Sequence, residues 1–322
     1  MEMRTLGRTG VKVSVLGFGC GAVGGMMVKG SPADQERAVA RALEAGVTFF
    51  DTAPMYGNGA SETNLGRVLA SLKPEIFLAT KVTVLPEDKA DIGAGIARSL
   101  EASLKRLGRD SVDLLQLHNR IDAAGTDRPL TAETVIGEVA LAMEKMRAQG
   151  KIRFAGITAL GEAALLHRVV DSKAFDTAQI CFNLLNPSAA GPVPAGLPAQ
   201  DFDRLATRAK DAGMGRIGIR VFAGGALSGA EERHPTGVPS VPPIASGPTY
   251  AADVRNAHRF DPLVEAGHAA SLIELALRFA ISSEAMTTVL VGTSTLDQLE
   301  TAIRAVEKGR LPADALAAIA RA

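Results

Sequence analysis

Short, almost continuously apolar segments alternate with longer amphipathic segments along the whole chain. Strands covered on both faces are apolar at successive positions, so the short segments predict buried parallel strands. The predicted strands span residues 15–19, 48–51, 76–81, 112–118, 152–157, 177–182, 216–222 and 288–291. Because consecutive parallel strands need a crossover connection, we expect helices between them.

The amphipathic segments carry residues typical of helix ends. Ser31 followed by Pro32 predicts an N-cap and a first helical residue, and Ser61 predicts the cap of the next helix. Glycines suited to a left-handed C-terminal residue follow several helical runs: Gly46, Gly108, Gly150 and Gly213. Eight strands, each followed by a helix, predict an α/β fold of the (β/α)8 TIM barrel type in a single domain over residues 1–322.

Three segments depart from this alternation. Residues 4–6 and 11–13 flank Gly7-Arg8-Thr9-Gly10, which predicts an N-terminal β-hairpin able to close the N-terminal mouth of the barrel. Residues 186–200 and 228–262 are rich in proline and lack periodicity. Both follow predicted strands, so we expect long loops on the C-terminal face, where barrel enzymes place their chemistry.

Charge and composition narrow the function classes. Lys+Arg and Asp+Glu each number 35, so no basic excess is available to neutralise nucleic-acid phosphates. No apolar run is long enough for a membrane helix, and the first residues lack the apolar core of a signal peptide. The only cysteines, Cys20 and Cys181, argue against a disulfide framework and a cysteine metal site. We expect a cytoplasmic protein with a small-molecule substrate and no metal.

Four reactive side chains follow three consecutive predicted strands. Asp51 and Tyr56 follow the second strand, Lys81 ends the third, and His118 ends the fourth. The carboxyl ends of barrel strands meet at one mouth, so these groups should converge. Asp51 can hold Lys81 as an ammonium, and Lys81 with His118 can polarise the Tyr56 hydroxyl and lower its pKa. Such a phenol can protonate a carbonyl oxygen while a cofactor delivers a hydride.

Each of these residues has an ordinary structural interpretation when it is considered alone. Asp51 could cap a helix or form an ion pair, Lys81 could be a solvated strand end, and His118 could be a core histidine. Tyr56 is one of only two tyrosines, which by itself indicates little. The four together, placed after neighbouring strands, favour a catalytic group.

The same segments resemble the aldo-keto reductase superfamily, and the resemblance covers essentially the whole chain. The matching motifs are Phe50-Asp51-Thr52-Ala53, Tyr56-Gly57, Ser61-Glu62, Leu65-Gly66, Ala79-Thr80-Lys81 and Leu114-Leu115-Gln116-Leu117-His118. The resemblance implies an NAD(P)(H)-dependent oxidoreductase that interconverts an aldehyde, ketone or sugar with an alcohol. It implies that Tyr56 is the general acid/base, that Lys81 and Asp51 tune it, and that His118 orients the carbonyl.

The resemblance also implies a cofactor site, with some departures from the usual family residues. The implied contacts are Thr158, Gln179, Arg220, Gly224, Gly225, Leu227, Ser228, Gly292, Ser294 and Gln298. Ala159 replaces an asparagine, and Ile219 or Arg220 lies where a stacking tyrosine is usual. Arg220 could meet the pyrophosphate or a substrate anion, or form a salt bridge with a neighbouring acid.

The adenosine end of the implied cofactor site is also unusual. Gln298 is uncharged where NADPH-binding relatives commonly have an arginine, and Thr301-Ala302 replaces Glu-Asn. The expected cofactor is NADP(H), with NAD(H) as the alternative.

A glycine motif in the first predicted loop suggests a different fold. Gly19-Cys20-Gly21-Ala22-Val23-Gly24 matches the dinucleotide fingerprint G-x-G-x-x-G. That fingerprint requires a helix to begin within the turn, whereas the pattern here predicts a helix only from about Ser31. We therefore expect the glycines to let the loop pass close to a ligand. Met26, Met27 and Met55 could line an apolar pocket or pack in the core.

Two other functions are compatible with parts of the sequence. One is a cofactor-binding regulatory subunit similar to potassium-channel β subunits, although the chain shows no long N-terminal extension. The other is a Schiff-base enzyme with Lys81 as nucleophile, which a protonated amine beside Asp51 would oppose.

Overall fold

In a computed structural model of the chain, residues 1–123, 130–194, 196 and 199–322 are described. Ten strands occur there: β1 Met3–Thr5, β2 Lys12–Ser14, β3 Leu16–Gly19, β4 Phe49–Asp51, β5 Phe77–Val82, β6 Val112–Leu117, β7 Ile152–Thr158, β8 Thr177–Cys181, β9 Gly215–Ile219 and β10 Thr288–Val291. Strands β3 to β10 form a closed parallel barrel in chain order, with β10 paired to both β9 and β3. The predicted (β/α)8 barrel is confirmed.

Helices surround the barrel. Within the described residues they are α1 Met26–Lys29, α2 Pro32–Glu44, α3 Ala60–Leu72, α4 Ile92–Leu107, α5 Ala132–Thr134, α6 Ala140–Ala148, α7 Ala163–Asp171, α8 Leu205–Asp211, α9 Tyr250–Ala257, α10 Asp261–Glu265, α11 Leu272–Ser282, α12 Leu296–Glu307 and α13 Ala313–Ile319. All residues of β4, β5 and β8 are buried, as strands covered by side chains inside and helices outside must be. No helix in these ranges is long and apolar enough to cross a membrane.

The N-terminal hairpin closes the barrel floor. Strands β1 and β2 pair antiparallel around a short 3₁₀ turn, within one residue of the predicted bounds. Leu6 is fully buried in a cluster with Val13, Phe49, Phe77 and other inward-facing residues. The backbone N–H of Arg8 donates to the Gly213 carbonyl at 2.7 Å, which fixes the hairpin against the chain before β9. The hairpin therefore covers the N-terminal mouth of the barrel.

Most predicted helix ends are confirmed, and one is wrong. Ser31 caps α2 by accepting from the Asp34 N–H, and the predicted C-terminal glycines all have positive φ. Helix α3, however, begins at Ala60 because Gly59 supplies a left-handed N-cap. Ser61 lies inside that helix, where its hydroxyl donates to the Cys20 carbonyl at 2.9 Å.

The structure of the loops differs from the sequence prediction in several places. The segment 228–262 is not uniformly irregular, since it includes α9 and the start of α10. The segment 186–200 falls partly outside the described residues, at positions 195, 197 and 198. Helix α1 occupies a stretch predicted to be non-helical, and it buries Met26 and Met27 in the core. Met55 is exposed at the rim.

Candidate active site

The four predicted reactive side chains meet at the C-terminal mouth of the barrel. Asp51 is the last residue of β4, Lys81 is the penultimate residue of β5, and His118 directly follows β6. Tyr56 lies in the turn between β4 and α3. The registers β4–β5 and β5–β6 place these strand ends side by side, which is why separate segments form one group.

Lys81 links the acid to the phenol. Its ammonium, only 1% exposed, forms an ion pair with the Asp51 carboxylate. It also donates to the Tyr56 hydroxyl oxygen at 3.1 Å and to the Thr52 carbonyl at 2.9 Å. A buried ammonium that is fully hydrogen-bonded in this way keeps its charge and holds the phenol in a fixed position.

Two glutamines complete the surroundings of Asp51. Its second carboxylate oxygen accepts from the side-chain amides of Gln116, at 3.0 Å, and Gln179, at 2.7 Å. Gln179, one of the cofactor contacts that the resemblance implies, thus also holds Asp51 through its amide nitrogen. Gln116 was missed as a site residue, although it lies two positions before His118 on the same inward face of β6.

The pKa values differ from the sequence expectation for the phenol. Burial raises the pKa of Tyr56 above its usual value of 10, and the ammonium of Lys81 only partly opposes this. Burial lowers the pKa of Lys81, but Asp51 and Tyr56 outweigh burial and raise it overall. The prediction of a lowered phenol pKa was therefore wrong in direction. Tyr56 is a neutral acid next to a permanent cation, and a protonated Lys81 is a poor nucleophile.

His118 is a neutral group beside the phenol. Its ring meets that of Tyr56 edge to face, with centroids 5.9 Å apart. Burial, and then the charge of Lys81, lower its pKa to about 3. Its buried Nδ1 has no hydrogen-bond partner among the described residues. Because His118 lines the cavity, the neutral imidazole can form a hydrogen bond with a ligand without adding charge.

The pKa of His118 predicts that acid destabilises the fold. Between about pH 6.5 and about pH 3 the unfolded chain binds a proton at this position and the folded protein does not. The unfolding free energy should then fall by about 1.4 kcal/mol per pH unit in this window. Urea denaturation at about pH 7 and about pH 5 measures the loss. In His118→Gln the difference between the two should shrink by about 2 kcal/mol; an unchanged difference would contradict a neutral buried imidazole.

The group opens into a cavity of about 580 Å³, a size typical of small-molecule sites. Asp51, Tyr56 and His118 line it, whereas Lys81 lies behind them. Most of the predicted cofactor contacts also line it: Thr158, Gln179, Arg220, Gly224, Gly225, Ser228, Gly292, Ser294 and Gln298. Leu227 does not, because its side chain is buried with Leu184 and other core residues.

One end of α12 also lines the cavity, through Ser294, Asp297 and Gln298. Thr295 caps this helix by accepting from the Gln298 N–H, and the Gln298 amide oxygen accepts in turn from the Ser294 N–H at 2.8 Å. The Ser294 hydroxyl donates to the Gly24 carbonyl at 2.5 Å. Gln298 thus stabilises the helix terminus itself and brings no positive charge to the cavity.

Arg220 lies just beyond β9. The strand ends at Ile219, three residues earlier than predicted, because Arg220 has a left-handed φ of 58°. Its carbonyl accepts from the Asn183 amide at 2.9 Å, which supports that conformation. Its guanidinium lines the cavity and forms no salt bridge with any residue that the structure describes. The salt-bridge interpretation of Arg220 is therefore wrong.

The glycines after β3 serve close packing. A carbon added at Gly24 would lie 2.5 Å from the Thr293 nitrogen, and one at Gly25 would lie 2.0 Å from the Thr236 oxygen. The loop therefore runs against the end of β10 and against the segment after β9. The strand before it belongs to a closed barrel, so the G-x-G-x-x-G match is not a dinucleotide fingerprint of an open sheet.

The residues present suit a dinucleotide. Thr158 lines the cavity, and its buried hydroxyl has no hydrogen-bond partner among the described residues. The Gly224–Gly225 loop, in left-handed conformation, permits a close backbone approach. No cluster of three or more potential metal ligands occurs in the described part of the chain. The unpartnered Thr158 hydroxyl and the glycine loop thus suit a polar organic cofactor.

Comparison with known proteins agrees with this geometry. The chain matches the profile of the Aldo/keto reductase family over residues 15–322. This protein belongs to the aldo/keto reductase family. Among similar members, the L-galactose dehydrogenase of Arabidopsis thaliana is 29% identical over 309 residues, which cover 95% of this chain and 88% of the relative. The pyridoxal 4-dehydrogenase of Microbacterium luteolum is 25% identical over 331 residues, which cover 92% of this chain and 91% of the relative.

A solved aldo/keto reductase has the same architecture. The structure of the aldo-keto reductase AKR11C1 from Bacillus halodurans, in its holo form, superposes with a TM-score of 0.73 at 25% identity. The match covers 100% of this chain and 96% of that one. As an aldo/keto reductase, this protein is an oxidoreductase of the carbonyl/alcohol class, and its family binds nicotinamide cofactors.

Proposed function

We propose that this protein is an NAD(P)(H)-dependent oxidoreductase that interconverts a small aldehyde, ketone or sugar with the corresponding alcohol, with Tyr56 as general acid/base. The observation that supports this most is the contact between the Tyr56 hydroxyl and Lys81 at 3.1 Å, with Lys81 held charged by Asp51. A phenol in that position faces the cavity with a cation behind it, as proton transfer to a carbonyl oxygen requires.

Each side chain then has a separate task. Bound nicotinamide supplies or accepts the hydride. Tyr56 gives its proton to the carbonyl oxygen in reduction and recovers a proton from the alcohol in oxidation. Lys81 stabilises the phenolate that forms, since the two groups are already in contact before the proton moves. His118, which is neutral and lines the cavity, orients the carbonyl oxygen.

We assign the cofactor to the rest of the cavity. Thr158 and Gln179 lie near the catalytic group and suit the carboxamide. The loop after β9, with Arg220, Gly224, Gly225, Leu227 and Ser228, suits the diphosphate; Leu227 can take part only through its backbone. Gly292, Ser294 and Gln298 suit the adenosine end. The names of the two dehydrogenase relatives favour sugars and related polyfunctional aldehydes as substrates.

Cofactor preference depends on the start of α12. NADP(H) is the family expectation, and NAD(H) the alternative that the uncharged Gln298 favours. Gln298→Arg should improve the affinity for NADPH relative to NADH by about tenfold, through a charge-assisted contact with the 2′-phosphate. Fluorescence titration of both cofactors measures the ratio. Gln298→Lys is the matched control, and an unchanged ratio in both variants would show that the adenosine end binds elsewhere.

A direct experiment tests the proposed activity. Purified protein is titrated with NADPH and with NADH, and the tighter cofactor is then used with a panel of aldehydes, ketones and sugars in both directions. We expect micromolar binding and turnover of at least one panel member. Failure to bind either cofactor would overturn the proposal, and binding without turnover would favour the regulatory-subunit alternative.

A further inference from the structure

Two arginines line the cavity without a carboxylate partner. Arg220 and Arg233 both face it, and neither forms a salt bridge within the described part of the chain. Arg233 was not identified from the sequence, because it lies in a segment without periodicity. Burial lowers the pKa of Arg220, and the nearby charge of Arg233 adds to this effect. Two partly buried cations near each other, neither of them paired with a carboxylate among the described residues, favour binding of an anion.

The two guanidinium groups lie on either side of one glycine pair. A carbon added at Gly224 would be 3.2 Å from Nη1 of Arg220, and a carbon added at Gly225 would be 3.0 Å from Nη1 of Arg233. Ala223, Gly224 and Gly225 all have positive φ. The N–H groups of Ala223 and Gly225 donate to the carbonyls of Arg220 and Phe222, which fixes this turn. The turn therefore brings the two guanidinium groups to the same part of the cavity.

The first barrel loop shows where along the cavity this space lies. A carbon added at Gly21 would be 3.7 Å from the Tyr56 ring. Two residues later, the Val23 carbonyl accepts from Nη2 of Arg233 at 3.0 Å, and the next carbonyl, of Gly24, accepts from Ser294. Along the first loop, the contacts thus run from the Tyr56 ring to Arg233 and then to Ser294 at the start of α12. In a dinucleotide the diphosphate lies between the nicotinamide and the adenosine. The position of Arg233 in this series therefore corresponds to the diphosphate.

We propose that Arg220 and Arg233 form a paired guanidinium site for the diphosphate of the dinucleotide. This inference rests on the proposed function. It adds Arg233 to the diphosphate contacts assigned above to Arg220 and the loop after β9, and it gives the two arginines different tasks.

The hydrogen bonds of the two arginines define those tasks. Arg233 donates to the carbonyls of Val238 at 2.8 Å, Gly224 at 2.6 Å and Val23 at 3.0 Å. It therefore uses three of its five N–H groups to tie the segment after β9 to the first loop. Arg220 makes one long contact, to the Pro242 carbonyl at 3.5 Å. Arg220 is thus the direct ligand, and Arg233 contributes charge while it holds the covering segment.

Binding of cofactor fragments tests the pair without relying on activity. Dissociation constants for the preferred dinucleotide, for ADP and for adenosine are measured by calorimetry at several salt concentrations. Arg220→Gln should weaken dinucleotide and ADP binding by about 10- to 100-fold, leave adenosine unchanged, and reduce the salt dependence. Arg220→Lys should retain part of the affinity. Arg233→Gln should weaken the same ligands and also speed dinucleotide release in stopped-flow measurements.

The controls separate this inference from its alternatives. Arg168→Gln removes a surface arginine paired with Glu133, away from the cavity, and should change no constant. Thermal denaturation checks that each variant is folded. If the parent protein binds the dinucleotide and neither Arg220→Gln nor Arg233→Gln changes its dissociation constant, the diphosphate site is wrong but the proposed function stands. Unchanged cofactor binding with weaker binding of carboxylate-bearing substrates in Arg220→Gln would assign Arg220 to the substrate instead. Absence of dinucleotide binding by the parent protein would overturn the proposed function, and the diphosphate site with it.

Discussion

Tyr56→Phe should lower turnover by about 10²–10⁴-fold while cofactor affinity stays near the parent value. The substitution keeps the ring that meets His118 and removes only the hydroxyl that contacts Lys81. Single-turnover hydride transfer, followed by nicotinamide absorbance, measures the chemical step directly. Because burial raises the pKa of this phenol, activity in the reductive direction should not depend on its ionisation at neutral pH.

The other tyrosine of the chain is a matched control. Tyr250 also lines the cavity, but its hydroxyl donates to the Ala230 carbonyl at 3.1 Å and lies away from the ammonium. Tyr250→Phe should therefore leave the chemical step within a fewfold of the parent rate. If the two phenylalanine variants lost turnover equally, or if Tyr56→Phe retained near-normal turnover, the proposed acid would be wrong.

Asp51→Asn should lower the free energy of unfolding by about 3–5 kcal/mol and also reduce turnover. The change is nearly isosteric, but it leaves the Lys81 ammonium buried without a counter-charge, and one amide oxygen must replace a carboxylate that accepts from both Gln116 and Gln179. Urea denaturation followed by circular dichroism measures the loss of stability.

A double variant shows whether the loss comes from the uncompensated charge. In Asp51→Asn combined with Lys81→Met both charges are gone, so the double variant should be less destabilised than the sum of the two single variants. Strict additivity would mean that Asp51 and Lys81 do not interact as the buried geometry indicates. Since Lys81 acts through Tyr56, neither single variant should retain the parent rate.

The reactive group was predictable because its position depends on simple rules. Asp51, Lys81 and His118 each end or follow an apolar run, and the ends of neighbouring parallel strands must meet. Gln116 could have been added by the same alternation, because residues two apart on a strand share a face. The direction of the Tyr56 pKa shift could not be predicted from the sequence. It depends on whether burial, which raises this pKa, outweighs the charge of Lys81, which lowers it.

Other features depend on contacts that no local pattern records. Arg233 is placed by three backbone carbonyls: one in its own segment, one in the turn after β9 and one in the distant first loop. Its own segment shows no hydrophobic periodicity from which this position could be predicted. The early end of β9 at Arg220 follows from a left-handed residue that is not glycine. The start of α3 one residue before Ser61 follows from Gly59, because a glycine cap competes locally with a serine cap.

The two cysteines have a practical consequence. Cys20 follows β3 beside the catalytic group and Cys181 ends β8, and each is 1% exposed and free. Burial raises both thiol pKa values, that of Cys181 to about 12, so the thiolate that reacts with labelling reagents is scarce in the closed barrel. In the native protein the two thiols should therefore react with labelling reagents only when the structure around them opens. The rate at which each thiol becomes modifiable reports how often its own sector of the barrel opens, and whether a bound dinucleotide makes those openings rarer.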